Sequence, residues 1–151
     1  MSRNNSKKTA FIASIENQIG LIDKTQNHIS LSFEFFTYSE KGGESFEEWQ
    51  KDQILADLNN KLKHFSGKTC KELLLDGTLE YYSHFPDDSN FIIPQNLVGT
   101  AFKWARFRIT GARRLIGVFL NDQKDEKNKN VFFIVFLDKD HRFAPYKKKN
   151  T

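Results

Sequence analysis

Between Lys103 and Arg114 the chain carries five cations, Lys103, Arg106, Arg108, Arg113 and Arg114, and no carboxylate. Guanidinium groups stay charged and match the oxygens of a phosphate in pairs, so such a cluster suits an RNA backbone. Trp104 stands among them and offers a ring on which a base can stack. Further along, Asp138-Lys139-Asp140-His141-Arg142 is followed by Pro145-Tyr146. An imidazole serves as general acid or base near neutral pH once its surroundings tune it, which makes His141 a candidate beside a cationic surface. Asp138 and Asp140 either orient that ring or cap the turn, and capping is the favoured role.

Strands must bring these groups together. Trp104-Ala-Arg-Phe-Arg-Ile109 alternates polar and apolar residues, Thr110-Gly111-Ala112 can turn, and Arg114–Leu120 returns as a second strand. Val131–Leu137 is continuously apolar, as expected of a central strand covered on both faces. Period two puts Trp104, Arg106 and Arg108 on one face and Ala105, Phe107 and Ile109 on the other. The apolar set faces the helices. The arginines then project from the opposite face, joined by either Arg113 or Arg114 from across the turn. Clustered like charges repel, so stability explains this face poorly. The competing expectation is that the arginines pair with carboxylates of the first helix.

The upstream residues supply the cover. Ile29–Phe36 alternates and reads as a half-buried strand, and Gly42-Gly43 breaks it. Ser45 three residues before Glu48 is a capping box, opening one helix whose buried face is Phe46, Trp49, Leu55, Leu58, Leu62 and Phe65. Ser66-Gly67 stops it, and a second box at Thr69 and Glu72 starts a shorter helix with Leu73 and Leu74, giving an αα-hairpin. Tyr81–Gln95, with two of the three prolines and Asp87-Asp88-Ser89-Asn90, reads as an irregular connection; Asn121–Asn130 reads as a charged loop. Residues 1–26 form a polar extension with short apolar fragments and at most a short helix. Residues 27–151 form a single domain. The expected fold is α+β: a helical hairpin packed on a mostly antiparallel, twisted sheet that ends in a three-stranded meander.

Composition narrows the class. With 151 residues, 38% hydrophobic and 28% charged, the chain suits one globular domain rather than a disordered segment. One cysteine, Cys70, leaves no internal disulfide, and no apolar run approaches the roughly 20 residues of a membrane span. The N-terminal stretch is interrupted by Ser14, Glu16, Asn17 and Gln18 and makes a poor secretory signal, so the cytoplasm is the expected compartment. The net charge of +4 fits an anionic partner, with acidic residues gathered in Glu40–Asp57 and a basic tail at Lys147, Lys148 and Lys149.

The run Trp104-Ala-Arg-Phe-Arg-Ile-Thr-Gly-Ala-Arg-Arg-Leu-Ile-Gly117 resembles the strand, small turn, arginine and return strand of the RelE/ParE toxin superfamily. Phe132-Phe-Ile-Val-Phe-Leu-Asp-Lys-Asp-His-Arg-Phe-Ala-Pro-Tyr146 resembles its last strand and tail. The resemblance spans about residues 29–146 and is most specific in the last third. It implies a type II toxin acting as a metal-independent, ribosome-dependent endoribonuclease that cleaves mRNA, is held in check by a cognate antitoxin protein, and has no membrane partner. By this resemblance Arg106 takes the place of a basic residue on the first meander strand. Arg114 would stabilise the developing phosphorane charge, and His141 or Tyr146 would handle protons as the 2′-hydroxyl attacks to leave a cyclic phosphate. Lys103, Trp104, Arg108, Arg113 and Arg142 are the expected RNA contacts. The N-terminal extension and the Tyr81–Gln95 connection exceed the family's usual length. Alternatives are a non-enzymatic toxin of the same fold that inhibits DNA gyrase and a non-toxic basic nucleic-acid-binding module.

Other motifs carry less. Gly67-Lys68-Thr69 lacks the glycine five residues earlier that a P-loop needs, since Leu62 stands there, and it follows a helix. Pro86-Asp87 followed by Asp125-Glu126-Lys127 superficially resembles a metal-dependent nuclease signature, but such carboxylates need a rigid strand and the second group falls in a flexible charged loop. His28, His64 and His84 show no ligand spacing with Cys70. No metal or cofactor is expected.

Overall fold

The computed structural model describes residues 2–25, 27–99, 101–120 and 129–146. The basic tail Lys147–Lys149 and segment 121–128, with Asp125 and Glu126, lie outside these. The sheet begins with β1 (Ser30–Ser32), followed by α2 (Phe46–Lys51), α3 (Leu55–Ser66), α4 (Cys70–Leu75) and β2 (Leu79–Tyr81). A 3₁₀ turn at Gln95–Leu97 precedes β3 (Phe102–Arg108), β4 (Arg114–Leu120) and β5 (Val131–Asp138), while α1 (Ser2–Thr25) stands before all of them. Among the described residues the molecule is α+β, with four helices and an open mixed sheet in the order β1-β5-β4-β3-β2. β2 through β5 pair antiparallel as a meander, and β1 pairs parallel with β5.

Local sequence sets the helix starts. Ser45 Oγ accepts the Glu48 N–H while Glu48 Oε2 accepts the Ser45 N–H, a reciprocal cap that is worth about 1 kcal/mol. Thr69 caps α4 through the Glu72 N–H. The single helix expected over Phe46–Phe65 is instead two. Gln53 takes a left-handed conformation (φ 59°) between α2 and α3. The break lets Trp49, Ile54, Leu58 and Phe65 all reach one core, which an unbroken helix could not do from their spacing. The strand expected over Ile29–Phe36 is also shorter, because a turn with Phe36 N–H on the Phe33 carbonyl ends β1. At the N-terminus the helix is longer than expected. α1 runs 24 residues, exposes Phe11, Ile12, Ile15 and Ile19, and packs extensively on no other element. Among the described residues no helix is long and apolar enough to cross a membrane.

Both faces of the sheet are covered, by different means. On one face Ala105, Phe107, Leu115, Phe119, Phe132, Ile134 and Leu137 meet the helical residues. On the other, Trp104, Ile116, Val118, Val135 and Phe136 meet Phe85, Phe91 and Phe143 from irregular chain and Leu97 from the 3₁₀ turn. Loops have no repeating apolar stripe, so single large rings supply the cover. Phe85 meets Trp104 edge-on at 5.0 Å, and Phe91 lies 4.9 Å from Phe136. That second layer accounts for much of the phenylalanine content. β5 is thereby buried on both sides, as its apolar run implies. Its register slips beside Gly117, where an added Cβ would lie 2.1 Å from the Phe133 carbonyl oxygen. Only glycine fits that bulge.

Candidate nucleic-acid interface

The register of the meander decides which cations share a face. Arg106 lies opposite Ile116 and Arg108 opposite Arg114, so these three arginines occupy the face that also carries Trp104 and Val118. Arg114 in turn lies opposite Asp138 on β5. The choice between Arg113 and Arg114 is therefore settled for Arg114. Arg113 points the other way and bonds Thr110 Oγ1 at 2.9 Å and Asp57 of α3 at 3.7 Å.

Arg114 is only 5% exposed. Its Nη1 donates to the carbonyls of Gly111 (2.6 Å) and Arg113 (2.9 Å). Burial pushes its pKa below the ordinary value, and the charges of Arg106 and Arg108 push the same way. The oxygens of Tyr146 and Tyr82 act on it in the opposite sense. Arg106 is paired with Glu80 on the neighbouring strand β2. Arg108 is exposed and has no ion-pair partner among the described residues. Tyr82, one residue past β2, completes the wall. Burial, outweighing the influence of Arg106, raises its phenol to about 12, so it stays a hydrogen-bond donor at neutral pH.

β5 delivers the rest. Asp138, fully buried, accepts the N–H groups of Arg142 and Phe143, both at 2.8 Å. Burial raises its pKa, and those two N–H groups oppose the rise. This is the capping role expected of it. The tight turn holds His141 left-handed (φ 58°) and sets its ring parallel to Tyr146, with centroids 4.1 Å apart and planes 19° apart. Tyr146 is 74% exposed. Glu44 anchors the same turn by accepting the Lys139 N–H at 2.5 Å and pairing with Arg142 at 3.3 Å; burial raises its pKa as well.

Arg106, Arg108, Arg114, His141 and Tyr146 are thus assembled at one end of the sheet. Three of their nitrogens, Arg106 Nη1, Arg114 Nε and His141 Nδ1, are buried without a hydrogen-bond partner. Buried polar groups are ordinarily satisfied, and leaving one unpaired costs about 1–3 kcal/mol, so these three nitrogens are donors or acceptors open to an additional partner. Only one further atom of this kind occurs among the described residues, Trp49 Nε1 in the helical core.

Four expected RNA contacts are not part of this assembly. Trp104 is 8% exposed under Phe85 and Phe143, so no base can stack on it. Lys103 sits on the helical face with its Nζ 3.7 Å from the centroid of the Tyr81 ring. Arg113 is neutralised by Asp57, and Arg142 is held by Glu44 over the Phe91 ring. The expectation that carboxylates of the first helix would pair with the arginines holds for Arg113 alone, through α3. Tyr82 and Glu80 escape a sequence reading, because a three-residue strand gives too little alternation to detect. Among the described residues no group of three His, Cys, Asp or Glu is placed to hold a metal ion. Burial raises the pKa of the Cys70 thiol, the opposite of what a nucleophile requires.

Comparison with protein-family models, with curated proteins and with solved structures gives no match to this chain.

Proposed function

We propose that the chain is an RNA-cleaving toxin of the RelE/ParE kind, with Arg108 and Arg114 receiving the backbone phosphates and Arg106 joining them by exchanging Glu80 for a phosphate oxygen. The observation that carries this reading is the buried Arg114 guanidinium, which shares its sheet face with Arg106 and Arg108 and feels the charge of Tyr146, the ring stacked on His141. Like-charged groups held together in a site of low polarity gain most when a polyanion enters. In the reaction the 2′-oxygen attacks the adjacent phosphorus and the bond from phosphorus to the 5′-oxygen breaks. The 2′-proton leaves to a base and a proton reaches the departing 5′-oxygen, giving a 2′,3′-cyclic phosphate and a 5′-hydroxyl. His141 and Tyr146 supply the proton-handling group. Arg114 and Arg106 stabilise the charge that grows on the non-bridging oxygens, an effect commonly worth about 3–4 kcal/mol per donor. The ribosome would present the mRNA, and a cognate antitoxin would restrain the toxin by covering the arginine face; both partners belong to the proposal.

The burial of Trp104 removes base stacking on that ring from this reading and from the binding-module alternative, which then rests on the arginines. The test is cleavage of ribosome-bound mRNA by the purified chain, with the chemistry of the new ends determined. Cyclic phosphate on the upstream fragment supports the reading. Intact mRNA together with inhibited DNA gyrase would replace it with the non-enzymatic alternative.

A further inference from the structure

A cleft of about 420 Å³ runs between the segment 82–88 and the Ala144–Pro145 tail. Its volume falls in the range of small-molecule sites. One wall is Tyr82, whose ring also packs 5.3 Å from Phe143 and whose N–H donates at 2.9 Å to the Trp104 carbonyl on β3, the strand of Arg106 and Arg108. The cleft and the arginine cluster therefore share a wall. Pro86 and Pro145 add flat apolar surface, while Asp87 and Asp88 stand at the rim. His84 closes the same side, with Nδ1 2.9 Å from Ser83 Oγ and Nε2 4.0 Å from Asp87 Oδ2. The Asp87 side chain is almost wholly exposed, so one of its oxygens remains open.

We infer that this cleft is a nucleobase subsite beside the phosphate site and that it selects guanine. The inference rests on the arginine cluster being a phosphate site. Ring and proline surfaces offer a stacking platform that any base can use. The rim supplies the selection. Ionised carboxylates only accept hydrogen bonds, and guanine presents two adjacent donors, the N1–H and the N2 amino group, that one carboxylate takes together. Uracil offers the single N3–H, flanked by two carbonyl oxygens that the same rim repels. Adenine offers one amino group and falls between them. The negative rim would also weaken binding of any backbone that strays from the arginines, so the subsite favours one placement of the strand.

The test uses the full chain and short all-2′-O-methyl oligouridines, which resist cleavage, either unbroken or with one central guanosine. The guanosine oligomer should bind about tenfold tighter than oligouridine, the discrimination typical of one bidentate contact. Inosine, which lacks the N2 amino group, should lose most of that advantage. In an Asp87→Asn, Asp88→Asn double variant the ratio of the two affinities should collapse towards one, whatever happens to each alone. Arg114→Met should weaken both oligomers and keep the ratio. Equal binding of both by the parent chain, or a preference that survives the double asparagine variant, overturns the subsite and leaves the phosphate reading standing. Failure of both oligomers to bind overturns the subsite and the phosphate reading together.

Discussion

Replacing Arg114 by methionine keeps the volume of the buried stem and removes the charge with all its donors. In the folded protein the change deletes two hydrogen bonds, to the carbonyls of Gly111 and Arg113. Each has a net worth of about 1 kcal/mol. It also removes the repulsion from Arg106 and Arg108 and a buried Nε that has no partner. These effects oppose one another, so stability should shift by no more than about 1–2 kcal/mol, which at this chain length moves Tm by only a few degrees. Catalysis has no such compensation. Losing a donor aimed at the developing phosphorane charge lowers the rate by roughly 10²–10³-fold. Cleavage of ribosome-bound mRNA, measured beside a thermal melt of the same sample, separates the two effects. A folded variant that still cleaves near the parental rate would refute the role given to Arg114, and a variant that unfolds outright would show the residue to be structural.

Asp138→Asn should be destabilising by about 1–3 kcal/mol in urea titration, because an amide cannot accept both the Arg142 and Phe143 N–H groups from the same position. Gly117→Ala should be among the most harmful small substitutions, since its Cβ would fall 2.1 Å from the Phe133 oxygen and 2.6 Å from Phe132 Cζ. Strain of that kind commonly costs about 1–3 kcal/mol or more, seen as a lowered urea midpoint. Burial raises the folded pKa of Glu44 above 4.5 and that of Asp138 above 3.8. Their contribution to stability is therefore fully present below those values and fades as pH rises through the folded pKa. Glu44→Gln should accordingly flatten the pH dependence of the unfolding free energy just above pH 4.5, and an unchanged slope there would count against the burial effect.

The meander was legible because its residues alternate where one face is buried and run apolar where both are. β4 begins at Arg114, as expected, and β5 extends only one residue past Leu137. Period two also placed Arg106 and Arg108 on one face correctly. It could not say what covers that face, because Phe85, Phe91 and Phe143 come from irregular chain whose apolar residues follow no period. Trp104 was misread for this reason, since its side was right and its surroundings were not. The break between α2 and α3 had a faint signal. Trp49 and Leu55 are six apart, a spacing that does not keep one helical face, yet neither glycine nor proline marks the position. His141 and Tyr146 were expected near the arginines, but the turn that stacks their rings depends on the buried Asp138 accepting two N–H groups. Segment 1–26 reads as polar because α1 spreads its apolar residues among charged, amide and hydroxyl side chains, and its length emerges only from the backbone.

The most direct test of the central claim is to map RNA 5′ ends in cells after induced expression of the parent chain, Arg114→Met and His141→Ala. The account predicts new ends inside translated codons with the parent chain and their loss in Arg114→Met, with a marked reduction in His141→Ala. Growth arrest with no new RNA ends, or ends that persist unchanged in both variants, would contradict it.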